Sequence, residues 1–134
     1  MRETEVTPAQ VHSAGLLTGM LRSRWALPDG NCVTHEMVSV NPDRMLIGYH
    51  TDWAGRFPYE ALGLDNPYRH PLPAVTTFGF AYDAAFVAAL GGGVWPGLEL
   101  ATQEVMRQAA HRGLPAERYR RQLQQDFRRR RLLH

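Results

Sequence analysis

The first part of the chain alternates apolar and polar positions with the period of an α-helix. Its apolar residues recur at intervals of three and four positions, as Val11, Ala14, Leu17, Leu21 and Trp25. The preceding sequence TPAQ places a capping threonine, then a proline at the first helical position, then a glutamine that can complete a capping box. We therefore predict a helix over residues 8–24, ended by the turn sequence PDG.

Two later segments change to the two-residue period of β-strands. Residues 33–40 and 44–53 are rich in β-branched and aromatic side chains and flank the sequence NPDR, a pattern typical of an antiparallel hairpin. With Pro42 and Asp43 at the centre of the turn, residue 38 is expected to face residue 47. One face of the hairpin is then apolar and is predicted to face the core, through Val38, Val40, Met45, Ile47, Tyr49 and Trp53.

Sequence patterns in the rest of the chain predict one further strand and several helices. Residues 54–73 predict an irregular connection with one helical turn near Tyr59, and residues 74–82 predict a third strand. Helices are expected after Asp83, after Pro96 and after Pro115. The predicted fold class is α+β: a small antiparallel sheet, made of the hairpin and one further strand, packs with four or five helices and a C-terminal helical hairpin.

Length and composition limit the class of protein. The chain has 134 residues, of which 44% are hydrophobic and 21% charged, as expected for a single globular domain over residues 1–134. No apolar run reaches the roughly 18 residues that cross a bilayer, and the polar start does not resemble a signal peptide. The single cysteine, Cys32, cannot form an internal disulfide. We expect a soluble, cytoplasmic protein.

The other face of the predicted hairpin is polar and carries candidate chemistry. It holds His35, Ser39, Arg44, His50 and Asp52. In the predicted register His35 faces His50, and Asp52 follows on the same face, so that two imidazoles and one carboxylate converge. These are the ligands of a two-histidine, one-carboxylate centre for a divalent metal such as iron or zinc. Glu36 has the parity of the core face and is expected at the sheet edge or as a second acid.

The same three residues have two other interpretations. Asp52 is able to orient one imidazole as a general base while the other stabilises developing charge. A polar outer face also needs no function, because water lies against it. On the functional interpretation the chain is a small enzyme for a small organic substrate, and residues 54–73 close over the site. That loop region and its flanks supply aromatic and polar side chains: Trp53, Phe57, Tyr59, Tyr68 and His70.

Known sequence motifs do not fit the glycine-rich second half. The positions of Gly93, Glu99 and Arg107 are similar to the opening of the Nudix box. His111 and Arg112 stand where that motif places glutamates for magnesium, and they are unsuitable ligands for such an ion. The Nudix motif is therefore excluded, and the glycine spacing also lacks a P-loop lysine and a dinucleotide-binding pattern.

Basic residues are concentrated near the C-terminus. All fifteen are arginines, and nine of them lie in the last part of the chain: Arg107, Arg112, Arg118, Arg120, Arg121, Arg128, Arg129, Arg130 and Arg131. The apolar stripe Tyr119, Leu123 and Phe127 predicts an amphipathic helix that leaves arginines in water. The alternative function is a non-catalytic subunit or interaction module, whose arginine-rich helix and basic tail at about 128–134 bind an acidic protein or nucleic acid.

Overall fold

A computed structural model describes residues 6–48, 50, 53, 55–89 and 93–133. The chain divides into two compact units, of which the first comprises Met1–Val33 and Phe57–Asn66 and the second Thr34–Arg56 and Pro67–His134. Both units contain helices, and the second also contains a small sheet. The predicted α+β class is therefore confirmed. A single globular domain over the whole chain stays a prediction.

Helices dominate the described residues. The six α-helices there are α1 (Pro8–Trp25), α2 (His35–Val38), α3 (Pro73–Thr76), α4 (Ala84–Ala89), α5 (Pro96–His111) and α6 (Ala116–Arg131). The 3₁₀ turns are Asp29–Asn31, Glu60–Leu62 and Pro67–Arg69. In this described part of the chain, no helix combines the length and the apolar character needed to cross a membrane.

The first unit is organised by α1, which begins where the sequence predicts. The Gln10 N–H donates to Thr7 Oγ1 at 3.2 Å, and the Thr7 N–H donates to Gln10 Oε1 at 2.8 Å. This reciprocal capping box satisfies two N–H groups that have no partner inside the helix. Within the unit α1 packs on the 3₁₀ turn Glu60–Leu62.

The sheet of the second unit is mixed. Strand β1 (Val40–Asn41) pairs antiparallel with β2 (Leu46–Ile47), and β2 pairs parallel with β3 (Ala81–Tyr82). The prediction of an antiparallel pair holds for β1 and β2 and is wrong for β3. The first three residues of the predicted third strand belong to α3, residues 77–80 form a turn and irregular backbone, and only the last two residues reach the sheet.

The hairpin register differs from the prediction by two residues. Val40 pairs with Ile47, and Asn41 pairs with Leu46, so that residues 42–45 form the loop. Asn41 Oδ1 accepts hydrogen bonds from the N–H groups of Asp43 at 3.1 Å and Arg44 at 3.0 Å. This local side-chain turn competes with strand pairing and lengthens the loop.

The prediction of which hairpin residues face the core is correct only in part. Met45 and Ile47 are buried, whereas Val38 is 57% exposed and Trp53 is half-buried. Val38 differs because residues 35–38 form α2 instead of a strand, so the alternation of faces does not extend to them. Tyr49 lies outside the described residues.

Helices α5 and α6 form the predicted C-terminal hairpin. Helix α5 buries the residues that its sequence period selects: Leu98, Ala101, Val105 and Ala109. From α6, Phe127 packs its ring 5.3 Å from that of Phe78 and 5.2 Å from that of Phe80. The apolar stripe of α6 therefore faces the core, as expected for an amphipathic helix.

A polar chain of hydrogen bonds joins α5 to α6. Arg107 and Gln108 both donate to the Glu104 carboxylate. These bonds, first that from Arg107 and then that from Gln108, lower the pKa of Glu104 to about 2. The Tyr119 hydroxyl donates to Gln108 Oε1 at 2.6 Å. Half-buried polar residues of α5 thereby help to orient α6.

Candidate functional site

The structure brings His35 and His50 together. Their ring centroids lie 4.4 Å apart with the ring planes at 38°, and both side chains are exposed. His35 lies on α2, and His50 lies three residues after β2. We call these two residues the histidine pair.

The predicted geometry of the pair is wrong although its members meet. His35 is not a strand residue facing His50 across a hairpin, since residues 35–38 form the helical turn α2. That turn is closed by the Met37 N–H, which donates to the Thr34 carbonyl at 3.1 Å. The imidazoles therefore meet through the packing of α2 in the second unit and not through strand register.

The third predicted ligand, Asp52, lies outside the described residues. Within the residues that the structure does describe, no three His, Cys, Asp or Glu side chains are grouped so that they could hold a metal ion. The described part of the candidate centre is thus the histidine pair alone. The role of His35, His50 and Asp52 as metal ligands or catalytic residues stays a prediction.

Glu36 follows the exposed His35 in the sequence but is itself buried, with 1% of its surface exposed. Its Oε1 accepts hydrogen bonds from the Tyr68 hydroxyl and from the Gly55 N–H at 3.2 Å. Its buried Oε2 has no hydrogen-bond partner in the described part of the chain. Burial of a carboxylate without full hydrogen bonding is costly, and Glu36 is the one charged residue that is buried among the described residues.

Gly55 reaches Glu36 because it has no side chain. Its φ is +78°, and a Cβ placed there would lie 3.1 Å from Trp95 Cβ. Only glycine adopts this backbone conformation at no steric cost. The Gly55 backbone thus passes close to Trp95 while its N–H bonds to the carboxylate.

A row of aromatic rings begins at Tyr68, which bonds to the buried carboxylate. The ring of Tyr68 lies 5.5 Å from that of Trp95, and the ring of Tyr82 lies 6.3 Å from it, both edge-on. Trp95 Nε1 is buried and has no hydrogen-bond partner among the described residues. Glu36, Tyr68, Tyr82 and Trp95 form what we call the Glu36 cluster, which combines an unpaired acceptor with an unpaired donor.

The charge of Glu36 acts on Tyr82. Burial raises the pKa of the Tyr82 phenol above its ordinary value of 10.0, and the negative charge of Glu36 raises this pKa further. Because folding raises the pKa of Tyr82, the neutral phenol stabilises the folded protein at pH values below 10. This stabilisation is lost as the pH rises through the raised pKa.

Replacing Glu36 with glutamine is therefore expected to lower the pKa of Tyr82 toward 10. The substitution removes the negative charge that disfavours the tyrosinate but leaves the burial of Tyr82 in place. Alkaline titration of the tyrosinate absorbance measures the effect when each protein is compared with its own Tyr82→Phe counterpart.

Glu99→Gln is the matched control for this titration. Glu99 is exposed in the first turn of α5, and its replacement removes one negative charge without touching the cluster. An equal pKa change in both variants would show that net charge, and not the proximity of Glu36, shifts the Tyr82 titration.

No protein-family model, curated protein or solved structure matches this chain. The function proposed below therefore depends on the geometry of the side chains.

Most arginine side chains of the arginine-rich helix α6 are exposed to solvent. The exposed ones are Arg118, Arg121, Arg128, Arg129, Arg130 and Arg131. Arg120 is different, because it is half-buried and its Nε is buried without a partner in the described residues. Binding of an acidic protein or nucleic acid through this helix stays a prediction.

The aromatic side chains assigned to substrate binding are not all accessible. Tyr59 and Tyr68 are almost fully buried, so the expectation that they face a substrate is wrong. Sequence reasoning noticed the inward parity of Glu36 but did not find Tyr68 as its partner. These residues are 32 positions apart, and no local pattern joins them.

Proposed function

We propose that this protein is a small enzyme that acts on a small organic substrate, with a divalent metal ion held by the histidine pair. The observation that carries the proposal is the meeting of two exposed imidazoles, from separate segments of the chain, at 4.4 Å between ring centroids. Imidazole is a common ligand of zinc, iron and similar ions. Exposure leaves room for a substrate beside the ion.

The centroid distance suits two ligands of one ion. A metal about 2.1 Å from an imidazole nitrogen lies about 3.2 Å from the ring centroid. Two centroids separated by 4.4 Å then subtend roughly 90° at the ion, the angle between neighbouring ligands in octahedral coordination. The centroid distance is therefore compatible with two imidazoles bound to one ion.

Two protein ligands leave coordination positions for water and substrate. A metal ion there would supply Lewis-acid chemistry or an activated water. Asp52, two positions after His50 in the sequence, is the predicted third ligand. With it, the set would be two histidines and one carboxylate.

Metal binding by the chelator-treated, untagged protein tests the proposal. We expect one equivalent of cobalt(II) or zinc to bind, and His35→Ala or His50→Ala to weaken binding at least tenfold. His111→Ala is the matched control, because His111 is also exposed and lies at the end of α5. Asp52→Asn is expected to weaken binding as well.

Activity is measured on the metal-loaded protein with a panel of small esters, amides and oxo acids. Turnover by the loaded protein that is lost in His50→Ala and kept in His111→Ala is the expected result. Absence of stoichiometric metal, or equal binding by the wild type and both histidine-pair variants, would overturn the metal-dependent proposal.

A further inference from the structure

Helix α1 presents its large apolar side chains to solvent. Although it has 18 residues, none of them is buried. Its five largest apolar residues are 45–70% exposed, and they are Leu16, Leu17, Met20, Leu21 and Trp25. At 100° per residue these five occupy one half of the helix circumference. We call this half the outer face of α1.

The opposite half of α1 is the one that packs within the first unit. Its half-buried residues are Val11, Gly15, Thr18 and Arg22, and half-buried Ala14 lies at the boundary between the two halves. The position of Gly15 places it against Leu62 of the 3₁₀ turn. The small residues of α1 thus face its own unit and the large apolar ones face away. This arrangement is the reverse of that expected for a surface helix.

The area of the outer face lies at the upper end of the range for apolar patches on monomeric proteins. With about 200 Å² for each large residue and the exposed fractions given above, it presents about 600 Å². The largest apolar patch of a typical monomeric protein covers about 300–600 Å². Two such faces in full contact would bury at most about 1,200 Å², which is the lower end of stable, specific interfaces.

The positions of the arginines in α1 favour antiparallel over parallel packing of two α1 helices. Helix α1 has no acidic residue and carries Arg22 and Arg24 in its last turn. Arg22 lies on the opposite half, where it forms an ion pair with Asp29, whereas Arg24 lies among the outer-face residues. Parallel pairing would therefore bring the two Arg24 side chains together. Antiparallel pairing places them at opposite ends of a helix about 27 Å long, and a two-fold axis then makes the two faces equivalent.

We propose that the protein is a homodimer assembled by antiparallel packing of the outer faces of α1. A second copy is the occupant because it supplies an apolar face of the same size. A lipid surface fits less well, since membrane-bound helices oppose their apolar face with a strongly charged one. In α1 that opposite half is half-buried in its own unit and holds only one charge, Arg22. This proposal does not depend on the histidine pair.

The molar mass in solution tests the dimer. The chain has a mass of 15.2 kDa, and sedimentation equilibrium of the full-length wild type is expected to give twice this value at micromolar concentrations. Leu17→Asp combined with Met20→Asp is expected to give the monomer mass with unchanged helix content, and its melting temperature is expected to fall to that of the monomer. Both residues are exposed, so the substitutions do not disturb a core.

Met106→Asp is the matched control. Met106 is 56% exposed on α5, outside the proposed interface, and this variant is expected to keep the dimer mass. A monomeric wild type would overturn the proposal, whether α1 then binds anionic vesicles or is protected from hydrogen exchange by the rest of the chain. A Leu17→Asp, Met20→Asp variant that stays dimeric would also overturn it, since the interface would lie elsewhere.

Discussion

Gly97→Ala is expected to destabilise the protein by about 3 kcal/mol and to lower its melting temperature by roughly 10–15 °C. Gly97 is buried in the first turn of α5. A Cβ at this position would lie closer than 3.0 Å to the carbonyl oxygens of His70 and Tyr68. These are backbone atoms of the 3₁₀ turn and its end, and they cannot move aside as a flexible side chain does.

The close contact at Gly97 is also hydrogen-bonded. The Leu72 N–H donates to the Gly97 carbonyl at 3.2 Å, so relief of the clash would separate a donor from its acceptor. The shift would also displace Tyr68 from Glu36, which it contacts. Urea unfolding followed by circular dichroism measures the change in the free energy of unfolding.

Gly19→Ala provides the matched control for this substitution. Gly19 is in the interior of α1, and a Cβ there meets no described atom within 4 Å. Alanine is expected to stabilise the helix by about 0.5–1 kcal/mol, because glycine loses more backbone entropy on folding. A Gly97→Ala protein as stable as the wild type would contradict the close packing of α5 on the 3₁₀ turn.

Tyr68→Phe is expected to cost about 2–3 kcal/mol of stability. The Tyr68 hydroxyl donates to a carboxylate that is itself buried, and hydrogen bonds to charged groups contribute about 1.5–3 kcal/mol. Its removal leaves the Gly55 N–H as the remaining described donor to Glu36. Equilibrium unfolding in urea measures the loss.

Tyr119→Phe separates this effect from the loss of any tyrosine hydroxyl. The Tyr119 hydroxyl donates to the neutral amide of Gln108, and its loss is expected to cost about 1 kcal/mol. Glu36→Gln is the second comparison, because in that background Tyr68→Phe is expected to cost about 1 kcal/mol less. Equal costs of Tyr68→Phe and Tyr119→Phe would show that the charge of Glu36 does not strengthen its bond to Tyr68.

The sequence predicts the helices whose signals are local. The TPAQ start of α1 has its complete capping box within four positions, and α5 buries the four residues that its period selects. Helix hydrogen bonds and caps join residues that are close in the chain, so these helices can be predicted from the sequence without tertiary information. The α+β class follows from the same local patterns.

The candidate site is predicted less well because its contacts are not local. The β-branched residues around His35 predict a strand, but the segment forms α2, and Glu36 bonds to partners 19 and 32 positions away. His35 and His50 meet as predicted, although by a different geometry. Their approach depends on packing, and a strand register cannot be derived when the turn is closed by the side chain of Asn41.

By itself, therefore, the sequence determined where α1, α5 and α6 lie, the apolar stripes of α5 and α6, and the candidacy of His35, His50 and Asp52. The tertiary structure decided which of the apolar residues are buried and which stay in water. It alone shows that α1 turns its large apolar side chains outward and that Glu36 is enclosed with one oxygen unpaired. The physical reason is that burial depends on segments distant in sequence, whereas helix period and capping do not.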